Sequence, residues 1–152
     1  MLYYNLKQFN DKIPNQGRIL ALDVGTKNIG TAICDELRFL SSPKSIIQRK
    51  NFNYDTDQIK KIASDNQICA ILIGLPLNMD STNSKISDYV TNFAQNLSDN
   101  IDLEICMVDE RLTSFEAKDI AIKKGSYRKT KQVDNIAAAF ILEYYLNQIQ
   151  IL

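Results

Sequence analysis

Four carboxylates stand where elements of a folded chain would begin or end: Asp23 after one apolar run, Asp109 and Glu110 after another, and Asp134 at the head of a helical stretch. Carboxylates brought together without histidine or arginine partners repel one another, and divalent cations relieve this by taking oxygen ligands. The expected ion is magnesium or manganese. Two such ions can activate water and hold both oxygens of an in-line phosphodiester displacement, so the chemistry implied is the cutting of nucleic acid. The chain contains no histidine. That absence removes Ser-His-Asp and Cys-His mechanisms and histidine-ligated zinc, leaving acid/base work to carboxylates, lysines or water on a metal.

Each acid also has a plainer reading. Asp134 alone is equally well a helix N-cap, and Asp23 a turn residue ahead of Gly25. Asp109 and Glu110 could be solvated charges, with Glu110 and Arg111 forming a surface pair of little energetic consequence. Acids at two strand ends and on one inward helix face are harder to dismiss together. Lys123, Lys124, Arg128, Lys129 and Lys131 form an acid-free basic stretch just ahead of Asp134. Such runs are usually solvated loops, but this one is placed to bind phosphate beside the metals, with Tyr127 as a stacking residue. Lys27 and Arg111, which follow the first and second acids, are further candidates for contact with substrate phosphate.

The elements that must position these residues can be read from hydrophobic period. Residues 1–16 are polar, with Pro14 and Asn15 ahead of Gly17, and are treated as an N-terminal extension with one short helix; residues 17–152 form the domain. RILALDVG reads as a strand buried on both faces, ending at Asp23. NIGTAICD and ELRFLSSPKSII follow closely enough to make an antiparallel meander. Ile59, Ile62 and Ala63 mark a helix from Asp55 to Asn66, which crosses over to the strand ICAILIGLP. Pro76 ends that strand and opens a loop through Asn78, Met79 and Asp80. A helix from Ser84 to Leu97 leads to the strand DLEICMVDE. A helix from Thr113 to Lys124, the loop GSYRKTKQ and a last helix from about Val133 to Gln148 complete the chain. On the last helix Asp134 begins a face continued by Ala137, Ala138, Ile141, Leu142 and Tyr145. In a parallel α/β sheet, sites lie beyond the carboxyl ends of central strands, where Asp23, Asp109 and Glu110 fall.

A chain of 152 residues fits one domain. No apolar run approaches the roughly 20 residues of a membrane span, and the N-terminus lacks the pattern of a secretory signal, so a cytoplasmic location without membrane association is expected. Cys34, Cys69 and Cys106 sit in separate apolar runs without a CxxC pair and read as buried, reduced thiols. The net charge of zero argues against a protein that coats DNA over its whole surface, and leaves the local basic stretch as the nucleic-acid signal.

The segments GRILALDVGTKNIGTAICD, ILIGLPLNMDST, VDERLTSFEA and VDNIAAAFILEYYL, in that order over about residues 17–146, resemble the YqgF family, also called RuvX, of pre-16S rRNA nucleases and Holliday-junction-resolvase-like proteins. The resemblance implies an RNase H-like fold: a five-stranded mixed sheet, its first three strands an antiparallel meander and the others parallel to the first, flanked by helices. It implies metal ligands at Asp23, Glu110 and Asp134, with Asp109 secondary and Asp80 a rival for the second acid. It also implies trimming of the 5′ end of 16S rRNA precursor, on the RNA or on precursor ribosomal particles. Residues 1–16 extend beyond the family's usual start, and Ser81 stands where a glycine commonly follows the LNMD loop.

Three other functions compete. A Holliday-junction resolvase uses the same metals but needs two sites facing paired strands, and so predicts a two-fold homodimer. An actin-like or sugar-kinase ATPase is suggested by LDVGTKNIG alone, but no second glycine-rich phosphate turn is evident. A non-catalytic module would bind RNA or a transcription complex through the basic loop, with the acids vestigial.

Overall fold

The computed structural model describes residues 1–76, 84–110 and 133–150. Among them ten elements follow in order: β1 (Leu2–Tyr3), α1 (Leu6–Lys12), β2 (Arg18–Val24), β3 (Asn28–Cys34), β4 (Ser41–Gln48), α2 (Phe52–Asp65), β5 (Ile68–Leu75), α3 (Ser84–Asn100), β6 (Glu104–Asp109) and α4 (Val133–Ile149). The six strands form one sheet in the order β1-β6-β5-β2-β3-β4. β2 is antiparallel to β3, and β3 to β4. β5 runs parallel to β2 and to β6.

The mixed α/β sheet and its meander agree with expectation, but it has six strands where five were expected. The sixth is β1, which pairs parallel to β6 through Leu2↔Ile105 and Tyr3↔Cys106. Two residues carry no readable period, so only the tertiary partner reveals the strand. Behind it, Asn5 caps α1 by accepting the Gln8 N–H at 3.0 Å, and Phe9 of α1 is fully buried. Its ring meets Tyr3 and Tyr145 edge-on at centroid distances of 6.1 and 5.8 Å. Arg38 ties down the link to β2, donating from Nε to Gly17 O at 2.9 Å and from Nη2 to Pro14 O at 2.6 Å. Residues 1–16 therefore pack into the same core as the sheet.

Three other expectations differ from the structure. The strand expected from Glu36 begins at Ser41, because the Asp35 side chain accepts the amides of Phe39 and Leu40 at 2.9 and 2.7 Å and Arg38 turns the chain with φ of 61°. The helix expected from Asp55 starts three residues earlier, because Asn51 caps it by accepting the Tyr54 N–H at 2.8 Å. Of the three thiols, Cys34 and Cys106 are buried and Cys69 is only half-buried, near the rim of the sheet beside Gly17. Burial pushes the Cys106 thiol up to about 12. The helix expected over 113–124 lies outside the described residues. No helix among those described is long and apolar enough to cross a membrane.

Two apolar layers sandwich the sheet. Ile19, Ala21, Leu72, Cys106 and Val108 pack with Phe9 of α1 and with Ala138, Ile141, Leu142 and Tyr145 of α4. Leu20, Leu22, Ile71, Ile73, Ile105 and Met107 pack on the opposite face with Ile59 of α2 and Val90, Phe93 and Leu97 of α3. The alternation is the period-two rule of strands, applied to strands buried on both sides. Replacing Phe9 by Ala should lower the unfolding free energy by roughly 3–5 kcal/mol, read as a lower urea midpoint with little change in slope. A loss under about 1 kcal/mol would show that the N-terminal segment is peripheral to the fold.

Candidate active site

The alternation of β2, β5 and β6 decides which acids share a face. In β2, Ile19 and Ala21 face α4, so Asp23 follows them to that side. In β6, Cys106 and Val108 face α4, so the next residue in that series is Glu110, while Asp109 follows Ile105 and Met107 to the α2/α3 side. Asp23 and Glu110 thus belong to one face. They are not on neighbouring strands: β5 runs between them, with Leu22↔Ile73 and Gly74↔Val108 in register. One step beyond Leu22↔Ile73, the residue of β5 beside Asp23 is Gly74.

Gly74 is the site residue that sequence reasoning missed. A Cβ built there would lie 2.6 Å from Glu110 Oε1, 3.1 Å from Glu110 Cγ and 2.5 Å from Ile141 Cδ1 of α4. The Glu110 side chain therefore crosses the bare backbone of β5 and carries its carboxylate toward the strand that bears Asp23. Any other residue at position 74 would fill that passage. The signal was in the sequence, since a lone glycine inside the apolar run ICAILIGL marks a close approach of something to the backbone. Asp134 lies in the first turn of α4, seven residues ahead of Ile141.

The turn after Asp23 is built with equal economy of space. Gly25 donates its N–H to Asn28 O at 2.8 Å, and a Cβ on Gly25 would stand 2.9 Å from that oxygen. Lys27 is exposed at the tip. The Arg49 N–H bonds to Lys27 O at 2.8 Å, and Arg49 Nη1 donates to Gly25 O at 2.9 Å. On the far side of β5, Ser87 of α3 donates to Pro76 O, pinning that helix to the strand end.

Asp23, Asp109 and Glu110 are thus located at the carboxyl ends of their strands, with Asp23 and Glu110 on one face and Asp109 on the other. Each takes part in polar or electrostatic interactions within the fold. Asp80, Arg111, Lys124, Arg128, Lys129 and Lys131 lie outside the described residues. Among the described residues no three acidic or thiol side chains form a metal-binding group. The donors present nevertheless suit a hard divalent cation: they are carboxylate oxygens, and the Glu110 carboxylate lies over Gly74, the residue of β5 beside Asp23.

A methyl group at position 74 must displace either Glu110 or Ile141. Gly74→Ala should cost about 1–3 kcal/mol of stability and lower metal-dependent cleavage by up to about 10²-fold, the penalty for roughly 1 Å of misplacement. Adding Ile141→Val relieves the contact with α4 and should restore stability while cleavage stays low. Recovery of both together would show that Gly74 matters only for packing.

A family model described as RuvX, Holliday junction resolvase, matches residues 17–148. A candidate pre-16S rRNA nuclease of Paracoccus denitrificans is 33% identical over 100% of this chain and 98% of its own length. Similarly named proteins of Pelagibacter ubique and Sphingopyxis alaskensis are 36% and 37% identical, covering 91% and 89% of this chain and 93% and 90% of their own lengths. Thermus thermophilus RuvC, solved with a Holliday junction substrate, superposes with a TM-score of 0.57 at 7% identity, over 87% of this chain and 96% of that one. The fowlpox virus resolvase, solved with Holliday junction DNA, gives a TM-score of 0.52 at 18% identity, over 87% and 98%. Those two likenesses establish the resolvase-type RNase H-like fold, and the near full-length match in sequence shows that the chain belongs to the RuvX family of nucleases.

Proposed function

We propose that the protein is a divalent-metal-dependent endonuclease that trims the 5′ end of 16S rRNA precursor, acting in the cytoplasm on the RNA or on precursor ribosomal particles. The observation that carries the reading is the passage of the Glu110 carboxylate over Gly74 toward the Asp23 strand, on the face covered by α4. Names shared by relatives of near full-length similarity support the choice of substrate.

Asp23, Glu110 and Asp134 are the residues that would hold magnesium or manganese, with Asp109 and Asp80 as outer candidates. When bound, the cation supplies charge neutralisation at the scissile phosphate and makes water a competent nucleophile near neutral pH. The protein's own contribution is geometric. β2 fixes Asp23 at the end of a strand buried on both faces, and β6 aims Glu110 from two strands away. With no histidine available, the proton released by the attacking water leaves through carboxylate or solvent. Lys27, Arg111, Lys124, Arg128, Lys129 and Lys131 are assigned to substrate phosphates, where cations at the rim lower the cost of bringing a polyanion to a cluster of acids.

The family description favours a second reading, resolution of four-way DNA junctions, which requires a two-fold homodimer. Labelled 16S precursor and a four-way junction, each with magnesium, manganese or chelator, separate the two. Cleavage of the precursor at the mature 5′ end, abolished by chelator and reduced at least about 10²-fold in Asp23→Asn and Glu110→Gln, is expected. Selective junction cutting by a dimer would move the assignment to resolvase. Metal-independent binding without cleavage of free RNA or of precursor particles would remove the nuclease reading. Lys129→Ala should weaken RNA binding across sequences and reduce the salt slope by about 1, whereas an unchanged slope would take the basic stretch out of the interface.

A further inference from the structure

Arg49 is the most heavily engaged side chain near the site, and no proposed chemical step uses it. It follows β4 directly and is mostly buried, with 13% of its side chain exposed. Its Nε donates to Asp55 Oδ2 at 2.9 Å, forming an ion pair with a carboxylate that is 1% exposed. The other Asp55 oxygen accepts the Lys50 N–H at 3.1 Å. Arg49 Nη1 donates to Gly25 O at 2.9 Å and to the Tyr89 hydroxyl. The guanidinium carbon lies 5.0 Å from the Phe93 ring centroid and 5.3 Å from that of Tyr89. One planar fork therefore joins the turn after Asp23, the first turn of α2 and the side of α3.

We infer that Arg49 is a positioning residue for the metal site, gripping the Gly25–Lys27 turn so that Asp23 keeps a fixed direction relative to Glu110; the inference rests on the nuclease reading. The turn needs such a grip. It leaves β2 only two residues after Asp23, and Gly25 and Lys27 are exposed. The side chain of Arg49 holds the carbonyl of Gly25 and its backbone holds that of Lys27, so one residue fixes both ends of the turn. Asp55 supplies the opposing charge that lets the guanidinium sit in a desolvated place, and Phe93 and Tyr89 limit its swing. Lysine cannot substitute, because a single ammonium cannot reach Asp55, Gly25 and Tyr89 in the same plane.

The test uses the full-length protein with Arg49→Lys, which keeps a charge beside Asp55. The paired variant Arg49→Gln with Asp55→Asn keeps the site neutral without a buried unpaired charge. Binding is read by titrating Mn2+ and following the free ion by electron paramagnetic resonance, and turn rigidity by hydrogen exchange at the Gly25 amide. Both variants should bind Mn2+ about 10- to 100-fold more weakly, as expected when support behind a metal ligand is removed. They should exchange the Gly25 amide faster than any fall in the unfolding midpoint accounts for. Cleavage should fall in kcat more than it rises in KM. Unchanged Mn2+ affinity and Gly25 exchange would overturn the role, as would losses that match the unfolded fraction alone. Absence of Mn2+ binding by the wild-type protein would defeat the nuclease reading instead, and Gly25 exchange would still decide whether Arg49 holds the turn.

Discussion

Asp23 and Glu110 end strands that have a third strand between them, so the sheet itself holds the two carboxylates apart. Adjacent strands are about 4.8 Å apart, so β2 and β6 are separated by roughly twice that. The long Glu110 side chain spans part of the interval, and it can do so only because β5 presents no side chain at Gly74. Much of the architecture follows from keeping that passage open. Ile141 of α4 closes it from above, and Val108 and Leu72 support it from the same apolar layer.

A rigid sheet makes such a long reach workable. β2 and β5 are buried on both faces, so neither can shift register without moving a whole row of side chains into the wrong layer. The helices enforce the same restraint from outside. α4 lies across the face that carries Asp23 and Glu110, with Ala138 and Ala139 allowing close approach and Ser41 of β4 donating to Ala139 O at 2.8 Å. At the other end of α4, the Tyr145 hydroxyl donates to Asn10 and its ring packs on Phe9. The N-terminal segment thus anchors the helix whose first turn carries Asp134. A segment 135 residues away in sequence helps to fix that helix against the sheet.

The opposite face carries a different kind of support. Arg49, Asp55, Tyr89 and Phe93 form a polar and aromatic knot behind the turn that follows Asp23. Polar interactions of this kind define one geometry more sharply than apolar packing does, because each donor has few acceptors within reach. The site is therefore held from both sides of the sheet, by close packing on one and by a charged fork on the other.

The sequence alone determined the succession of the five longer strands and the helices between them, the strand-end acids and the family, because apolar period and short motifs are local properties. It offered Asp23, Glu110 and Asp134 as candidate ligands only by residue type and by position at strand ends and a helix start. The tertiary structure decided that β5 separates the two strand-end acids, that Asp109 falls on the other face from Glu110, and that Leu2–Tyr3 and Phe9 belong to the core. It also revealed Gly74 and Arg49, whose roles depend on partners distant in the chain: Glu110 lies 36 residues from Gly74, and Gly25 lies 24 from Arg49. A glycine in an apolar run and an arginine after a strand look ordinary in one dimension. Their meaning comes from which backbone and which carboxylate the folded sheet sets beside them.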